Sequence, residues 1–475
     1  MNLPGPRSLH PVTRTSVLLV VASWLMYLSV LSPSLATWDG GGMLNMSVSL
    51  VKEHDVNVAP AYGQPGRGGK LYGMWYPLLS VVAVPFVAVG LEVARLTHLP
   101  EVYTVAVLAI FLSTIIAACS VGATYYLARR SLGGTERRSI AAAAFFGFGT
   151  LALFYSRSFY ADPLLTLIVT LIFIAIFDDE PKAWAVLILC SLVIPAKPVG
   201  VFACVLAFLY LTYHRKRNAA IAAMIGTGFG CLFFAFYDWI RFENVFKSGQ
   251  PNFWGVHEMA LGFAGLLCSP GVGILIACPL LLTIISCKLD EKAWWILGLA
   301  ASYLVLYSCW QRWWSSDWGP RFLMPVLPAL IALSVFTKHR RLWLALACFS
   351  FALQIPTAFA APERQFAVLR SEGIPPQDAV WSFSRSSTFG MWPSAIAQVQ
   401  AAQSTDVRAF SQFRQPASSF DDARNFRIVT IWWWMLPLVH IPRIVGAVIS
   451  LIELLAGLWI VAKLWQQAMP APPTQ

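Results

Sequence analysis

The chain has 475 residues, of which 57% are hydrophobic and only 12% are charged. A water-soluble domain of this length could not carry that composition without a very large exposed apolar surface, so we expect a membrane protein. The formal net charge is +11, but the basic residues form short clusters between apolar segments, a pattern that sets membrane topology and does not indicate nucleic-acid binding.

Apolar runs of about 20 residues recur along the chain, each long enough to cross about 30 Å of hydrocarbon as a helix. Placing every basic cluster in the cytoplasm predicts twelve crossings in an all-α protein, with both termini cytoplasmic. An uncleaved first crossing fits its length better than a cleaved signal peptide. The predicted crossings are 16–36, 102–128, 139–155, 161–177, 183–194, 198–213, 219–239, 272–287, 293–311, 320–336, 342–360 and 440–461.

The apolar segment 76–96 does not fit this count, because a crossing there would place the Arg129 cluster outside. We therefore predict a juxtamembrane helix that lies in or dips into the outer interface, helped by Pro77 and Pro85. The predicted organisation is a transmembrane catalytic region, an extracytoplasmic loop or small cap, and a last transmembrane helix with a cytoplasmic tail. These divisions cover 1–360 (with a first outer loop at 37–101), 361–431 and 432–475.

Polar residues of the predicted outer loops are the candidates for chemistry. Asp39 follows the first crossing and precedes three glycines, which let the backbone turn tightly. It is positioned to act at the interface, although it could instead cap a helix that begins near Met43. Further along the loop, Lys70, Tyr72 and Tyr76 could hold a phosphate, or could be ordinary snorkelling and interfacial side chains.

Three later outer segments carry more cations. Arg157 and Asp162 share a tight turn, where they could also simply pair. Lys197 lies between two prolines at the joint of two short spans, and a lysine held there requires an anion. Arg321 begins a span directly after Gly-Pro and is the strongest candidate for binding a phosphate.

One polar and aromatic segment, with Trp254, His257 and Glu258, is suited to a sugar, since aromatic rings stack on sugar rings and polar groups bond their hydroxyls. A second segment, 312–322, contains Trp314 and Asp317, which we predict to bind substrate, although a belt of interfacial tryptophans explains part of its composition. His257 alone is weak evidence for acid-base catalysis. The nine cysteines have no metal-ligand spacing, and no metal residues are predicted.

Taken in order, several segments resemble the polytopic GT-C-class glycosyltransferases that use lipid-phosphate-linked sugars, the superfamily of protein O-mannosyltransferases and the aminoarabinose transferase of lipid A. The resemblance covers about 16–336. It rests on Asp39, Tyr76-Pro77-Leu78-Leu79, Phe154-Tyr155-Ser156-Arg157 with Asp162-Pro163, Ala196-Lys197-Pro198, Gly265-Leu266-Leu267-Cys268-Ser269-Pro270-Gly271, and Trp318-Gly319-Pro320-Arg321-Phe322.

The resemblance implies a sugar donor linked to polyprenyl phosphate, an extracytoplasmic acceptor, and a site on the outer face of a bacterial inner membrane. It implies that Asp39 is the catalytic base or orients the acceptor, and that Arg157, Lys197 and Arg321 bind the lipid phosphate. Many relatives have two adjacent acids where this chain has Asp39 followed by glycine. Some relatives use a divalent metal, for which a single aspartate is a poor site.

Two other functions remain open from the sequence. A transporter or flippase of a lipid-linked or anionic solute also needs basic residues in the membrane, but it predicts polar residues near mid-span and paired halves, which the chain lacks. A lipid-linked glycan polymerase or ligase is chemically close to the first prediction. A non-catalytic scaffold would not require Lys197 or Arg321 near lipid.

Overall fold

The structure is a computed structural model, which describes residues 11–469 apart from 34, 36, 100, 251–253, 316–317, 361–364, 366–368, 370–371 and 405–430. Over these residues the chain is almost entirely helical. Its two short strands, β1 (Gln64–Pro65) and β2 (Leu71–Tyr72), pair antiparallel in the first long loop.

The α-helices are numbered in chain order. They are α1 (Pro11–Ser29), α2 (Trp38–Lys52), α3 (Pro77–Thr97), α4 (Glu101–Tyr126), α5 (Glu136–Phe148), α6 (Ala152–Tyr155), α7 (Ala161–Ile176), α8 (Ala183–Ala196), α9 (Val201–Tyr213), α10 (Arg217–Phe242), α11 (Met259–Cys268), α12 (Ile274–Ala277), α13 (Glu291–Ser308), α14 (Leu327–Ser334), α15 (Arg340–Gln354), α16 (Pro376–Ala379), α17 (Ser387–Ser404) and α18 (Arg443–Gln467). Six helical segments of the described chain are long and apolar enough to cross a membrane, and shorter apolar helices lie between them. The chain is an all-α polytopic membrane protein.

Helices occupy all twelve segments that the sequence predicts to cross, but several of these segments are irregular. Segment 139–155 is divided into α5 and α6, and a 3-10 helix lies in each of 198–213, 272–287, 320–336 and 342–360. Segment 272–287 consists of α12 and a 3-10 helix, Pro279–Ser286, and segment 320–336 begins as a 3-10 helix, Arg321–Val326, before α14. Prolines lie at the start of the 3-10 helix Pro279–Ser286 and inside Arg321–Val326. A proline lacks the amide hydrogen that a regular α-helix needs, so the chain tightens or kinks there.

The helix of the first predicted crossing ends earlier than predicted. Helix α1 ends at Ser29, whereas the prediction continued the helix to residue 36. Pro33 explains the early end, because in a continuing helix it would have no amide hydrogen for the Ser29 carbonyl and its ring would clash with that carbonyl. The chain then begins a new helix at Trp38, so the three glycines after Asp39 lie inside α2 and not in the predicted tight turn.

Helix α4 is the centre of the N-terminal half. It packs antiparallel against α1, since the Ser16 hydroxyl donates to the Gly122 carbonyl at 2.9 Å and the Trp24 ring packs edge-on against Phe111 at 5.6 Å. Helix α3 packs on the same helix. Helix α3 continues unbroken through Pro85 and is long and apolar enough to cross. Its interfacial position therefore stays a prediction.

The described part of the predicted cap is docked onto the helical body. The Gly271 amide donates to the Val380 carbonyl at 2.9 Å, and the Ser387 and Thr388 hydroxyls donate to the Gly271 carbonyl at 3.1 and 3.2 Å. Both α16 and the start of α17 are thereby fixed beside the loop that follows α11. Residues 405–430 of the predicted cap lie outside the described residues.

Candidate active site

A polar and aromatic cavity of about 220 Å³ lies where several helix ends meet. The starts of α2, α3 and α7 and the 3-10 helix Arg321–Val326 border it, together with the residue that follows α8. The lining residues are Trp38, Asp39, Met43, Met74, Trp75, Tyr76, Tyr160, Ala161, Asp162, Lys197, Gln250, Trp310, Arg312, Ser315, Arg321 and Phe322.

Four charged side chains form a continuous row through this cavity. Arg321 Nη1 lies 2.9 Å from Asp39 Oδ2, and Arg321 Nε lies 3.9 Å from Asp162 Oδ2. Lys197 Nζ donates to Asp162 Oδ1 at 2.7 Å. The Asp39 side chain is 30% exposed, against 10% for Arg321, 4% for Asp162 and 11% for Lys197. The row therefore runs from a half-buried carboxylate into the protein, with signs alternating at each step.

Asp39 lies in the first turn of α2, where the helix dipole favours a negative charge. The N-cap is Thr37, whose hydroxyl oxygen accepts from the Gly40 amide at 3.1 Å. Asp39 is therefore not the cap that the sequence left open as an alternative. Its Oδ1 accepts from Trp75 Nε1 at 3.1 Å, so the carboxylate has one neutral and one charged donor and a fixed orientation.

The glycines after Asp39 allow close approach of the first loop. A Cβ at Gly42 would lie 1.9 Å from the Trp75 ring, and a Cβ at Gly41 would lie 2.4 Å from the Tyr62 hydroxyl. The Trp75 ring also packs against Tyr62 at 5.9 Å. The small residues therefore let Trp75 lie directly on α2, where its indole N–H reaches Asp39.

Arg321 is positioned by the break before the 3-10 helix. Gly319 has φ +53°, a left-handed conformation that glycine adopts without steric cost, and Pro320 follows it. The guanidinium carbon of Arg321 lies 4.8 Å from the centre of the Tyr160 ring and 5.2 Å from that of Phe322. Aromatic faces stabilise a cation by electrostatic attraction, so Arg321 is held between two rings as well as two carboxylates.

Lys197 is positioned by the end of α8. Pro195 lies in the last turn of this helix, and Lys197 itself is extended before a 3-10 helix, Pro198–Gly200. Its Nζ lies 5.3 Å from the centre of the Phe322 ring. Asp162 lies in the first turn of α7 and supplies the anion that the sequence argument required for this lysine.

Tyr76 also borders the cavity and completes the set of predicted residues that do so. It lies directly before Pro77, the first residue of α3. Burial raises the pKa of its hydroxyl above the usual value for tyrosine, because the charged phenolate would be poorly solvated. Tyr76 is therefore a neutral hydrogen-bond donor at every physiological pH.

Three predicted residues, Arg157, Lys70 and Tyr72, have partners away from the cavity. Arg157 is buried, and its guanidinium donates to the carbonyls of Val30 and Thr357, so it fixes the chain after α1. Lys70 is half exposed and pairs with Asp55, which raises the pKa of the lysine. Tyr72 is buried against other residues of the first loop and α10.

The predicted sugar-binding residues lie near the cavity rather than in it. The Trp254 ring packs on Trp310 at 4.9 Å, and His257 is exposed, with Nε2 4.0 Å from Glu258 Oε1. Glu258 and Trp314 border a second cavity, of about 630 Å³. Asp317 lies outside the described residues.

Most aromatic residues of the first cavity were not among the predicted site residues. Trp75, Tyr160 and Phe322 are examples, and each contacts a predicted charged residue. The sequence did carry a signal for these three rings, because each lies within two residues of a predicted site residue or at the start of a span. The sequence does not show which charged residue each ring contacts across the fold: Trp75 meets Asp39, Tyr160 meets Arg321, and Phe322 meets Lys197 as well as its neighbour Arg321.

The charged row does not fit a divalent metal. Both carboxylates already hold a cationic side chain, and Arg321 lies between them. Among the described residues, no group of three or more His, Cys, Asp or Glu side chains is arranged to hold a metal ion.

Comparisons with known proteins give structural likenesses only. The chain matches no protein-family model and no curated protein sequence. It is similar to the crystal structure of ArnT from Cupriavidus metallidurans in the apo state, with a TM-score of 0.49 and 15% identity over 95% of this chain and 76% of that chain. For ArnT bound to undecaprenyl phosphate the TM-score is 0.45, with 16% identity over 95% and 77%.

Proposed function

We propose that this chain is a membrane glycosyltransferase that transfers a sugar from a polyprenyl-phosphate donor to an acceptor on the extracytoplasmic side of a bacterial inner membrane. The observation that carries the proposal is the cavity itself. A partly exposed carboxylate, Asp39, and two buried cations, Lys197 and Arg321, converge at the ends of apolar helices. A phosphate at a membrane surface requires such a site.

The cations suit the donor phosphate. Arg321 and Lys197 are balanced by Asp39 and Asp162, while the side chain of Arg312 also borders the cavity. The cavity has little exposure to water around Lys197, so the attraction between cation and phosphate is stronger there than at an open surface.

An apolar groove beside the cavity suits the polyprenyl tail. The groove has a volume of about 320 Å³ and is formed by α12, α13, α14 and the two 3-10 helices next to them, with Leu297, Leu304, Leu323 and Leu330 among its residues. Leu323 is only two residues beyond Arg321. A donor whose phosphate binds Arg321 would therefore have its polyprenyl tail near the start of this groove. There the tail would contact apolar side chains in place of membrane lipid.

The chemistry is a direct displacement at the sugar. The acceptor hydroxyl oxygen attacks the anomeric carbon, and the bond from that carbon to the phosphate oxygen breaks. Polyprenyl phosphate leaves with the electron pair, and its growing charge is stabilised by Arg321 and Lys197. Asp39 takes the acceptor proton, since it is the more exposed of the two carboxylates. The configuration of the sugar inverts.

The position of the charges favours this enzyme over a transporter. Asp162 begins α7, Lys197 follows α8, and Arg321 begins the segment that continues as α14. All four members of the row thus lie at helix ends that the predicted topology places at the outer face, whereas a transporter needs its polar site near mid-membrane with access from both sides.

The proposal is tested with purified protein in lipid nanodiscs and a polyprenyl-phosphate-linked sugar, measuring release of polyprenyl phosphate. We expect Asp39→Asn to reduce the rate at least a hundredfold, because the amide cannot accept the acceptor proton. Asp55→Asn is the matched control in the same loop, since Asp55 pairs with Lys70 away from the cavity. Equal rates for wild type and Asp39→Asn would refute the assigned base.

A further inference from the structure

A second cavity, of about 630 Å³, opens beside the first. Its walls come from the start of α11, the segment after α13, and α16. Its size falls within the range of about 300–1,000 Å³ that is typical of sites for small ligands. The lining residues are Glu258, Leu261, Gln311, Arg312, Trp313, Trp314, Gln377, Asp378 and Trp381.

The aromatic wall of this cavity is rigid. Trp381 is 42% exposed, and its ring packs edge-on against Trp313 at 6.0 Å. Trp313 is buried because Gly265 leaves it room, since a Cβ at Gly265 would lie 2.1 Å from the Trp313 ring. Trp381 is therefore held from behind while part of its surface stays open, the arrangement that stacking on a sugar ring requires.

The polar groups of this cavity match hydroxyls and disfavour phosphates. Two carboxylates, Glu258 and Asp378, face one guanidinium, Arg312, and the amides of Gln311 and Gln377 complete the set. Carboxylates accept from hydroxyl and amine groups, and amides both donate and accept. The formal charge of −1 opposes a second anion.

The two cavities meet at a single side chain. Arg312 borders both, and the next two residues, Trp313 and Trp314, border only the second cavity. The opposite wall is fixed to the helical body, because the Val380 carbonyl accepts from the Gly271 amide. A ligand in the second cavity therefore lies beside the cavity that holds the row of charges.

We infer that the second cavity binds the acceptor, and that the acceptor is a neutral or amine-bearing saccharide. The role as an acceptor site rests on the proposed function, but the binding of a saccharide to this cavity can be measured without a donor. A phosphorylated or carboxylated acceptor is disfavoured by Glu258 and Asp378, and a serine-rich peptide lacks ring faces that could stack on Trp381.

The test is binding of defined ligands to the full-length protein in nanodiscs, by saturation-transfer NMR. The ligands are maltotriose, the glucosamine trimer, trigalacturonate and a serine-rich peptide, each with and without polyprenyl phosphate. We expect maltotriose and the glucosamine trimer to bind and the other two not to bind. Trp381→Ala should weaken saccharide binding about fivefold to tenfold, while the matched control Trp294→Ala, an exposed residue of α13, should not.

A variant that changes the charge of the second cavity tests whether its side chains select the ligand. Asp378→Lys should weaken binding of the glucosamine trimer and allow trigalacturonate to bind, since the formal charge of the cavity then becomes +1. Polyprenyl phosphate should bind equally to Trp381→Ala and wild type. If polyprenyl phosphate binds but the saccharides do not, or if the peptide or trigalacturonate is preferred, the acceptor inference is overturned and the proposed function stands. If saccharides bind through Trp381 while polyprenyl phosphate does not, the proposed donor fails instead.

Discussion

The ion pair between Lys197 and Asp162 gives the sharpest test of the candidate active site. The pair is almost fully buried, with Lys197 11% exposed and Asp162 4% exposed, and its N–O distance is 2.7 Å. Lys197→Met removes the cation and keeps a similar length of side chain. Asp162→Asn removes the anion and keeps the shape. The double variant removes both charges together.

Each single variant leaves a buried charge without its main partner, a change that costs about 3–5 kcal/mol in free energy of unfolding. For Lys197→Met we expect the lower end, about 3 kcal/mol, because Arg321 Nε remains 3.9 Å from the other Asp162 oxygen. Since replacing both members of a buried pair is often nearly neutral, the double variant should cost only about 1 kcal/mol in free energy of unfolding. With single-variant costs of about 3 kcal/mol or more each, the coupling energy should be about 5 kcal/mol.

The coupling is measured by a double-mutant cycle, with unfolding followed during titration of a denaturing detergent into mixed micelles. The matched control is the pair of Lys52 and Glu101, whose side chains are about half exposed and whose coupling should be too small to measure. Equal coupling in the two cycles would refute the buried row of charges. The stable double variant should nevertheless lose release of polyprenyl phosphate, since Lys197 is proposed to bind the donor.

Two further predictions address how the site is held. Arg321→Lys keeps the charge but loses the planar guanidinium that reaches both carboxylates, so release of polyprenyl phosphate should fall about a hundredfold. The control is Arg95→Lys, at an exposed ion pair in α3, which should leave the rate unchanged. Gly42→Ala should displace the Trp75 ring and cost about 1–3 kcal/mol of stability together with most of the activity, and an undisturbed rate would contradict the tight contact. Gly228→Ala in α10, where a Cβ meets nothing within 4 Å, should be neutral or slightly stabilising in the same unfolding assay.

The helices could be predicted from the sequence because the physics that forms them in a membrane is local. An apolar run must satisfy its own backbone hydrogen bonds, so its position along the chain fixes a helix. The prediction was wrong in detail where proline changes the backbone, as at the early end of α1 before Pro33 and the 3-10 helix that contains Pro325. The sequence marks such breaks but does not give their geometry.

The candidate site could be predicted only in part, because each of its contacts joins distant segments. Four cations, Lys70, Arg157, Lys197 and Arg321, all lie beside apolar spans in the sequence, and local pattern favoured Arg321 but predicted all four to bind phosphate. The structure separates them by their partners: Lys70 meets a loop carboxylate and Arg157 meets two backbone carbonyls, whereas Lys197 and Arg321 meet Asp162 in the cavity.

The aromatic residues explain why burial matters as much as charge in this site. Arg321 and Asp39 are 282 positions apart in the chain, and their ion pair forms because Trp75, Tyr160 and Phe322 surround them with low-dielectric surface. In that setting an unpaired charge is costly, so the four charged residues must alternate in sign. Under the proposed function, the same cost means that a donor phosphate would gain most where it replaces a carboxylate beside Arg321. Asp39, the more exposed of the two carboxylates, is the one that the phosphate would release for the acceptor hydroxyl.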